Sequence, residues 1–153
     1  MTLLEVEGLT KRFSAKRNFL GRTTEWFTAV DDVSFSIPRG ECFGLVGESG
    51  CGKTTLSKVI MRALEPDSGK VLFNDRGTMV DVVRADPEAL MRFRRRVQYI
   101  FQDPFGSLSP RMTVFDILRE PLVIHQVGDA DYRAEMAKEL MRLVGLDPRF
   151  LNR

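Results

Sequence analysis

The chain has little cysteine, little net charge and no long apolar run. Its two cysteines, Cys42 and Cys51, are too few for a disulfide framework and suit a reducing cytosol. A formal net charge of only +2 demands neither nucleic acid nor an anionic membrane as partner. No apolar stretch approaches the length that spans a bilayer. The opening Met1-Thr2-Leu3-Leu4-Glu5-Val6-Glu7 lacks the basic start and apolar core of a signal peptide. Internal repeats and low-complexity segments are also missing. These absences predict a soluble intracellular protein. With 153 residues, 43% of them hydrophobic, the chain is long enough to bury a core and is not compositionally disordered.

Alternation of apolar and polar residues predicts strands at Leu3–Leu9 and Val33–Ile37, with a long hairpin loop or insertion over Lys16–Thr28. The short apolar run Cys42–Val46 predicts a buried parallel strand, and Val97–Phe101 predicts a second. A helix is expected over Thr54–Leu64, ended by Glu65-Pro66-Asp67-Ser68-Gly69. Lys70–Phe73 and Met79–Val83 read as a strand pair around the turn Asn74–Gly77. Asp86 and Pro87 are suited to the N-cap and first position of a short helix. Thr113 with Asp116 predicts a capping box for a helix running toward Pro121. The last helix is expected from about Asp131 to Val144, with Met136, Leu140, Leu143 and Val144 inward and Gly145 as its stop.

The chemistry concentrates where the first apolar run meets the first helix. Gly47-Glu48-Ser49-Gly50-Cys51-Gly52-Lys53-Thr54 satisfies every fixed position of the phosphate-binding pattern G-x-x-x-x-G-K-[ST]. Its glycines let successive backbone N–H groups curl inward toward phosphate oxygens, and the helix that follows adds the positive end of its dipole. Lys53 suits the β- and γ-phosphates, the Thr54 hydroxyl suits Mg²⁺, and Thr55 suits an α-phosphate oxygen. A reactive thiol at Cys51 and a merely small side chain there are both compatible with the motif. The basic cluster Arg92, Arg94, Arg95 and Arg96 lacks interleaved aromatics and reads as a solvated face rather than a nucleic-acid contact.

Val46–Leu56, together with Ala29–Phe35 and the segment Tyr99–Thr113, resembles the ATP-binding-cassette (ABC) ATPases, and within them the dipeptide/oligopeptide importer branch. The resemblance runs over nearly the whole chain, and Glu120-Pro121-Leu122 belongs to it. It implies an α/β, P-loop NTPase fold of the ABC ATPase type. That fold would have an N-terminal antiparallel β-subdomain (1–44 and 70–85), the P-loop and first helix (45–64), a partial parallel core sheet with a core strand and Q-loop (97–102), and the start of a helical subdomain (103–153). It implies ATP and Mg²⁺ as cofactors, with Gln102 as the Q-loop glutamine reaching Mg²⁺ or the attacking water. Phe13 stands where the family stacks an aromatic ring on adenine, with Phe27 as the alternative. His125 does not match the family's switch histidine and is expected at the surface.

The implied partners are transmembrane permease subunits, met through residues about 103–122 with Phe105 and Leu108 exposed, and a second ATPase subunit; nucleic acid is not among them. Phe105 and Leu108 could instead pack inward. The implied location is the inner face of the cell membrane. The family continues into a Leu-Ser-Gly-Gly-Gln-type signature and an apolar strand ending in Asp-Glu, and neither occurs here, so hydrolysis is not expected of these residues alone. Two other readings stay open: a soluble ABC ATPase outside transport, and a nucleotide-binding module that does not hydrolyse.

Overall fold

The computed structural model describes residues 1–17, 23–103, 106 and 108–153, and gives only the backbone of 16, 17, 23 and 24. Its elements in chain order are β1 (Thr2–Arg17), β2 (Thr23–Pro38), α1 (Lys53–Ile60), β3 (Ser68–Asp75), β4 (Thr78–Asp81), α2 (Pro87–Arg96), α3 (Val114–Ile124), α4 (Ala130–Leu143) and a 3-10 helix at Pro148–Asn152. They form two compact units, Met1–Gln98 and Tyr99–Arg153.

The first unit is an antiparallel sheet in the order β2-β1-β3-β4, with α1, α2 and Val82, just past β4, adding to its core. Val6 and Leu9 of β1, Val30 of β2, and Val71 and Phe73 of β3 are buried with Leu56 and Val59 of α1 and Phe93 of α2. Val6 and Leu9 are three residues apart and would face opposite sides of a regular strand. They share the core because β1 carries an extra residue here: Val6 pairs with Phe35, but Leu9 pairs with Val33. Phe93 meets Phe73 edge-on, with centroids 5.2 Å apart, which locks α2 to the sheet.

Several boundaries follow local chemistry. Asp86 accepts the Ala89 N–H at 2.7 Å with Pro87 at the start of α2, as the sequence predicts. The β3–β4 hairpin closes through Arg76 and Gly77, both at positive φ, the signature of a tight I′-type turn. Helix α1 stops earlier than the expected Leu64. Arg62 adopts a left-handed φ of 47°, with Arg62 N–H donating to Val59 O and Ala63 N–H to Lys58 O, a Schellman ending with arginine in the place glycine usually takes.

Neither predicted parallel strand forms. Cys42–Val46 and Val97–Phe101 have no ladder partner among the described residues, and Val46 and Ile100 are about 90% and 91% exposed. A strand exists only as one side of a hydrogen-bonded pair, so an apolar run without a neighbour stays irregular. Thr23–Thr28, expected in a loop, is instead the first part of β2; residues 18–22 of that expected loop lie outside the described residues.

In the second unit, Thr113 caps α3. Its hydroxyl oxygen accepts the Asp116 N–H at 3.1 Å and donates to the Asp116 carboxylate at 2.7 Å. Pro121 lies inside α3, which runs on to Ile124. The buried face of α4 is Ala137 and Met141, packed with Leu151, Val114, Phe115 and Leu118. This corrects the expected inward face: Leu140, Leu143 and Val144 are exposed. Ala137 and Met141 stand four residues apart and so share one face of α4, and that face is the one covered by α3 and the 3-10 helix. His125 is half-buried at the end of α3, with its Nδ1 out of solvent and unpartnered, rather than at the surface as expected.

Candidate functional site

A cleft of about 350 Å³ opens in the first unit between β2 and the loop entering α1. Thr28, Ala29, Val30, Asp31 and Val33 form one wall, and Leu45, Val46, Cys51, Gly52, Lys53 and Leu56 the other. The two walls touch where Gly52 passes β2. A Cβ there would stand 2.0 Å from the Ala29 carbonyl oxygen, and Gly52 has φ of 99°, so glycine is required twice over.

Ala29 reaches that point because β2 bulges. Lys11 pairs with Val30 while Arg12 pairs with Thr28, leaving Ala29 as the extra residue. A bulge bends its strand and re-aims its backbone, here into the cleft.

Lys53 is held by its own loop. Its ammonium donates to the carbonyls of Gly47 (2.7 Å) and Glu48 (2.6 Å) and to Cys51 Sγ (3.4 Å). Those three contacts match the three N–H donors of a lysine. The first turn of α1 has no side-chain cap and no acidic residue, so its leading N–H groups and the positive dipole end stay available to an anion. Thr54 is exposed and Thr55 half-buried on that turn. The concave loop, the tethered cation and the uncapped helix end together suit polyphosphate.

The predicted residues Gly47, Glu48, Ser49, Gly50, Cys51, Gly52, Lys53, Thr54 and Thr55 are thus contiguous around one helix start. Phe13 does not line the cleft. It lies on β1 opposite Phe27, one residue past Arg12, whose partner Thr28 does line it. Phe13 is 38% exposed and Phe27 55%, so both rings offer a free surface. Gln102 is exposed and belongs to the second unit. Ala29 and Asp31 belong to the Ala29–Phe35 stretch of the family resemblance but were not expected as site residues; the bulge at Ala29, which no local pattern announces, brings this stretch to the cleft.

One carboxylate beside this region is perturbed. Asp67 accepts the Arg12 backbone N–H at 2.6 Å, and this bond, helped by the nearby Lys11 and Arg12 charges, holds its carboxyl below the usual carboxylate range. Among the described residues no group of three or more His, Cys, Asp or Glu could hold a metal, and no helix is long and apolar enough to cross a membrane.

A glycine-lined phosphate loop running into a helix N-terminus, beside a strand, defines a P-loop nucleotide-binding protein. Comparison with known proteins narrows the class. The family model described as ABC transporter matches residues 30–153. A Brucella ovis protein bearing the name of a peptide import ATP-binding protein is 44% identical over 151 residues, which are 99% of this chain and 44% of that protein. The oligopeptide transport ATP-binding protein AppF of Bacillus subtilis is 39% identical over 153 residues, 99% of this chain and 45% of its own length.

Among solved structures, the ATP-binding cassette MJ0796, in a dimeric post-hydrolysis state bound to ADP and Pi, is similar in fold. It has a TM-score of 0.72 at 24% identity over 99% of this chain and 61% of that one. The ATP-binding subunit of an ABC transporter has a TM-score of 0.65 at 27% identity, over 98% of this chain and 53% of its own. The chain belongs to the ABC transporter family of ATPases, as the resemblance in its sequence implies. It spans less than half the length of these two curated relatives.

Proposed function

We propose that this chain is the nucleotide-gripping part of an ABC importer ATPase, binding Mg-ATP in the cleft beside β2. The observation that carries the reading is Lys53, tethered by the Gly47 and Glu48 carbonyls beside an uncapped helix start. The backbone of Gly50–Thr54 would cradle the phosphates, with Lys53 against the β- and γ-phosphates, Thr55 at the α-phosphate, and Glu48, Ser49 and Cys51 shaping the loop. Phe13 would stack on the adenine.

Thr54 fits a Mg²⁺ ligand. It offers an exposed hydroxyl directly after Lys53, and Mg²⁺ takes few protein ligands beside phosphate and water oxygens. The ion, when bound, would neutralise phosphate charge. By the family resemblance, Gln102 would serve as the Q-loop glutamine.

In the complete protein we infer coupling of ATP hydrolysis to uptake of peptides or similar small solutes. Permease subunits would dock on residues about 103–122, a second ATPase subunit would complete the arrangement, and the protein would sit on the inner face of the cell membrane. The names of the relatives support the transport reading over an ABC ATPase working elsewhere. Leu108, 56% exposed, is free to join such a surface. Phe105 lies outside the described residues. We assign 1–44 and 70–85 mainly to a β-subdomain, 45–64 to the P-loop and first helix, 97–102 to the segment leading into the Q-loop, and 103–153 to the start of a helical subdomain.

Titration calorimetry with Mg-ATP on the wild type and on Lys53→Ala tests the binding step. Lys53→Ala is expected to lose most of the affinity, because a charge-assisted contact to phosphate goes with the ammonium. Equal affinity in the two proteins removes the P-loop assignment.

A further inference from the structure

We propose that Asp67 is a positioning residue for recognition of the nucleotide base, acting on Phe13 through Arg12 and Lys11. The proposal rests on the reading of Phe13 as the base-stacking ring.

Strand β1 is paired with β3 only as far as Thr10, opposite Ser68, because β3 begins there. Past Thr10 the edge of β1 that faces β3 would carry an unpaired N–H at Arg12. Asp67 supplies the missing rung. Its own N–H donates to Thr10 O at 2.9 Å, and its Oδ2 accepts from the Arg12 N–H at 2.6 Å. On its other edge Arg12 pairs with Thr28, a wall of the nucleotide cleft, and the next residue is Phe13.

A second route runs through side chains. The Lys11 ammonium lies 3.6 Å from Asp67 Oδ2 and 5.5 Å from the centroid of the Phe13 ring. The cation rests on the Phe13 ring while the ring stays partly exposed, so a base has a surface to stack on. One carboxylate thus fixes both the backbone before Phe13 and the cation on its ring. Asp67 is the last residue of the segment joining α1 to β3, so its two bonds to β1 tie the connection that follows the phosphate-loop helix to the strand carrying Phe13.

The test separates base from phosphate. Affinities for Mg-ATP and for Mg-tripolyphosphate, which has no base, are measured by calorimetry on the wild type, Asp67→Ala, Asp67→Asn, Lys11→Met and Phe13→Ala. Asp67→Ala and Phe13→Ala are each expected to weaken ATP roughly 3- to 10-fold, the worth of one aromatic contact, and to leave tripolyphosphate unchanged. Asp67→Asn keeps an oxygen for the Arg12 N–H and is expected to recover most of the loss. Adding Asp67→Ala to Phe13→Ala is expected to cost nothing further, since both act on one contact.

An equal loss for ATP and tripolyphosphate in Asp67→Ala overturns the proposal, because a general structural defect would do that. No loss of ATP affinity in Asp67→Ala, with a loss in Phe13→Ala, also overturns it and leaves base stacking standing. An unchanged ATP affinity in Phe13→Ala removes the stacking reading and this proposal with it, as does a wild type that binds no ATP. If Asp67→Ala does not fold, Lys11→Met carries the test: a base-only loss is expected, and no loss overturns the proposal.

Discussion

The Ala29 carbonyl oxygen stands 2.0 Å from where a Cβ on Gly52 would lie, so the phosphate loop and β2 meet at a point only glycine can occupy. Gly50, with φ of 83°, has nothing within 4 Å of its own missing Cβ. The two glycines therefore separate strain from collision. Gly50→Ala is expected to cost about 1–2 kcal/mol, the penalty of a left-handed conformation. Gly52→Ala carries that penalty and a backbone clash besides, so its loss is expected to be clearly larger, with the cleft distorted. Chemical denaturation of both variants checks the order; equal losses would mean that β2 yields freely at Ala29.

What the sequence announced and what it hid divide along one physical line. The phosphate loop, the Asp86–Pro87 helix start and the Thr113–Asp116 capping box are local: each is a few adjacent residues whose hydrogen bonds close among themselves. They were legible for that reason. The bulge at Ala29 and the side-chain rung at Asp67 depend on how distant strands register, which alternation alone does not encode. Cys42–Val46 reads as a buried strand for the same reason in reverse: its composition is that of a strand, but strand formation belongs to a pair. The expected face of α4 failed because periodicity ranks large apolar residues first, while the face that α3 and the 3-10 helix cover carries Ala137 and Met141.

The purified chain is expected to bind nucleotide without sustained hydrolysis. A phosphate grip acts alike on ground and transition states, and such uniform binding does not speed the chemical step. Removing a positioned acid–base group typically costs roughly 10²–10⁴ in rate. Asp31 is the one carboxylate-bearing residue among those lining the cleft, which makes it the control. Phosphate release is measured for the wild type, Lys53→Ala and Asp31→Asn. Background rates in all three are expected; turnover lost in both variants would assign Asp31 a catalytic part.

Thr113→Ala is expected to destabilise the start of α3 by about 1 kcal/mol, the usual worth of an N-cap. The Thr113 oxygen is the acceptor for the Asp116 N–H, so its loss leaves that amide to water. Hydrogen exchange over Val114–Ile117 should accelerate while exchange in the β1–β3 ladder does not change. Unaltered exchange at Asp116 would show that the cap contributes nothing.

The ladder rung at Asp67 also predicts a pH dependence. Its carboxyl is held below the ordinary 3.8, chiefly by the Arg12 backbone N–H and then by the neighbouring positive charges. A depressed native value means that the folded protein favours the ionised form more than the unfolded chain does. The stability this adds is complete above the unfolded value and is lost as pH falls through the lower native value. Acid should therefore weaken the wild type below about pH 4 more steeply than it weakens Asp67→Asn, which has no proton to take up. Glu135 and Asp147 are lowered as well, by Lys138 and Arg149 respectively, but both persist in the variant and cancel in the difference. Denaturant midpoints from pH 7 down to pH 3 give the two curves. They are expected to run parallel near neutrality and to converge in acid, and curves that stay parallel throughout would mean that Asp67 is no more favoured as an anion in the folded protein than in the unfolded chain.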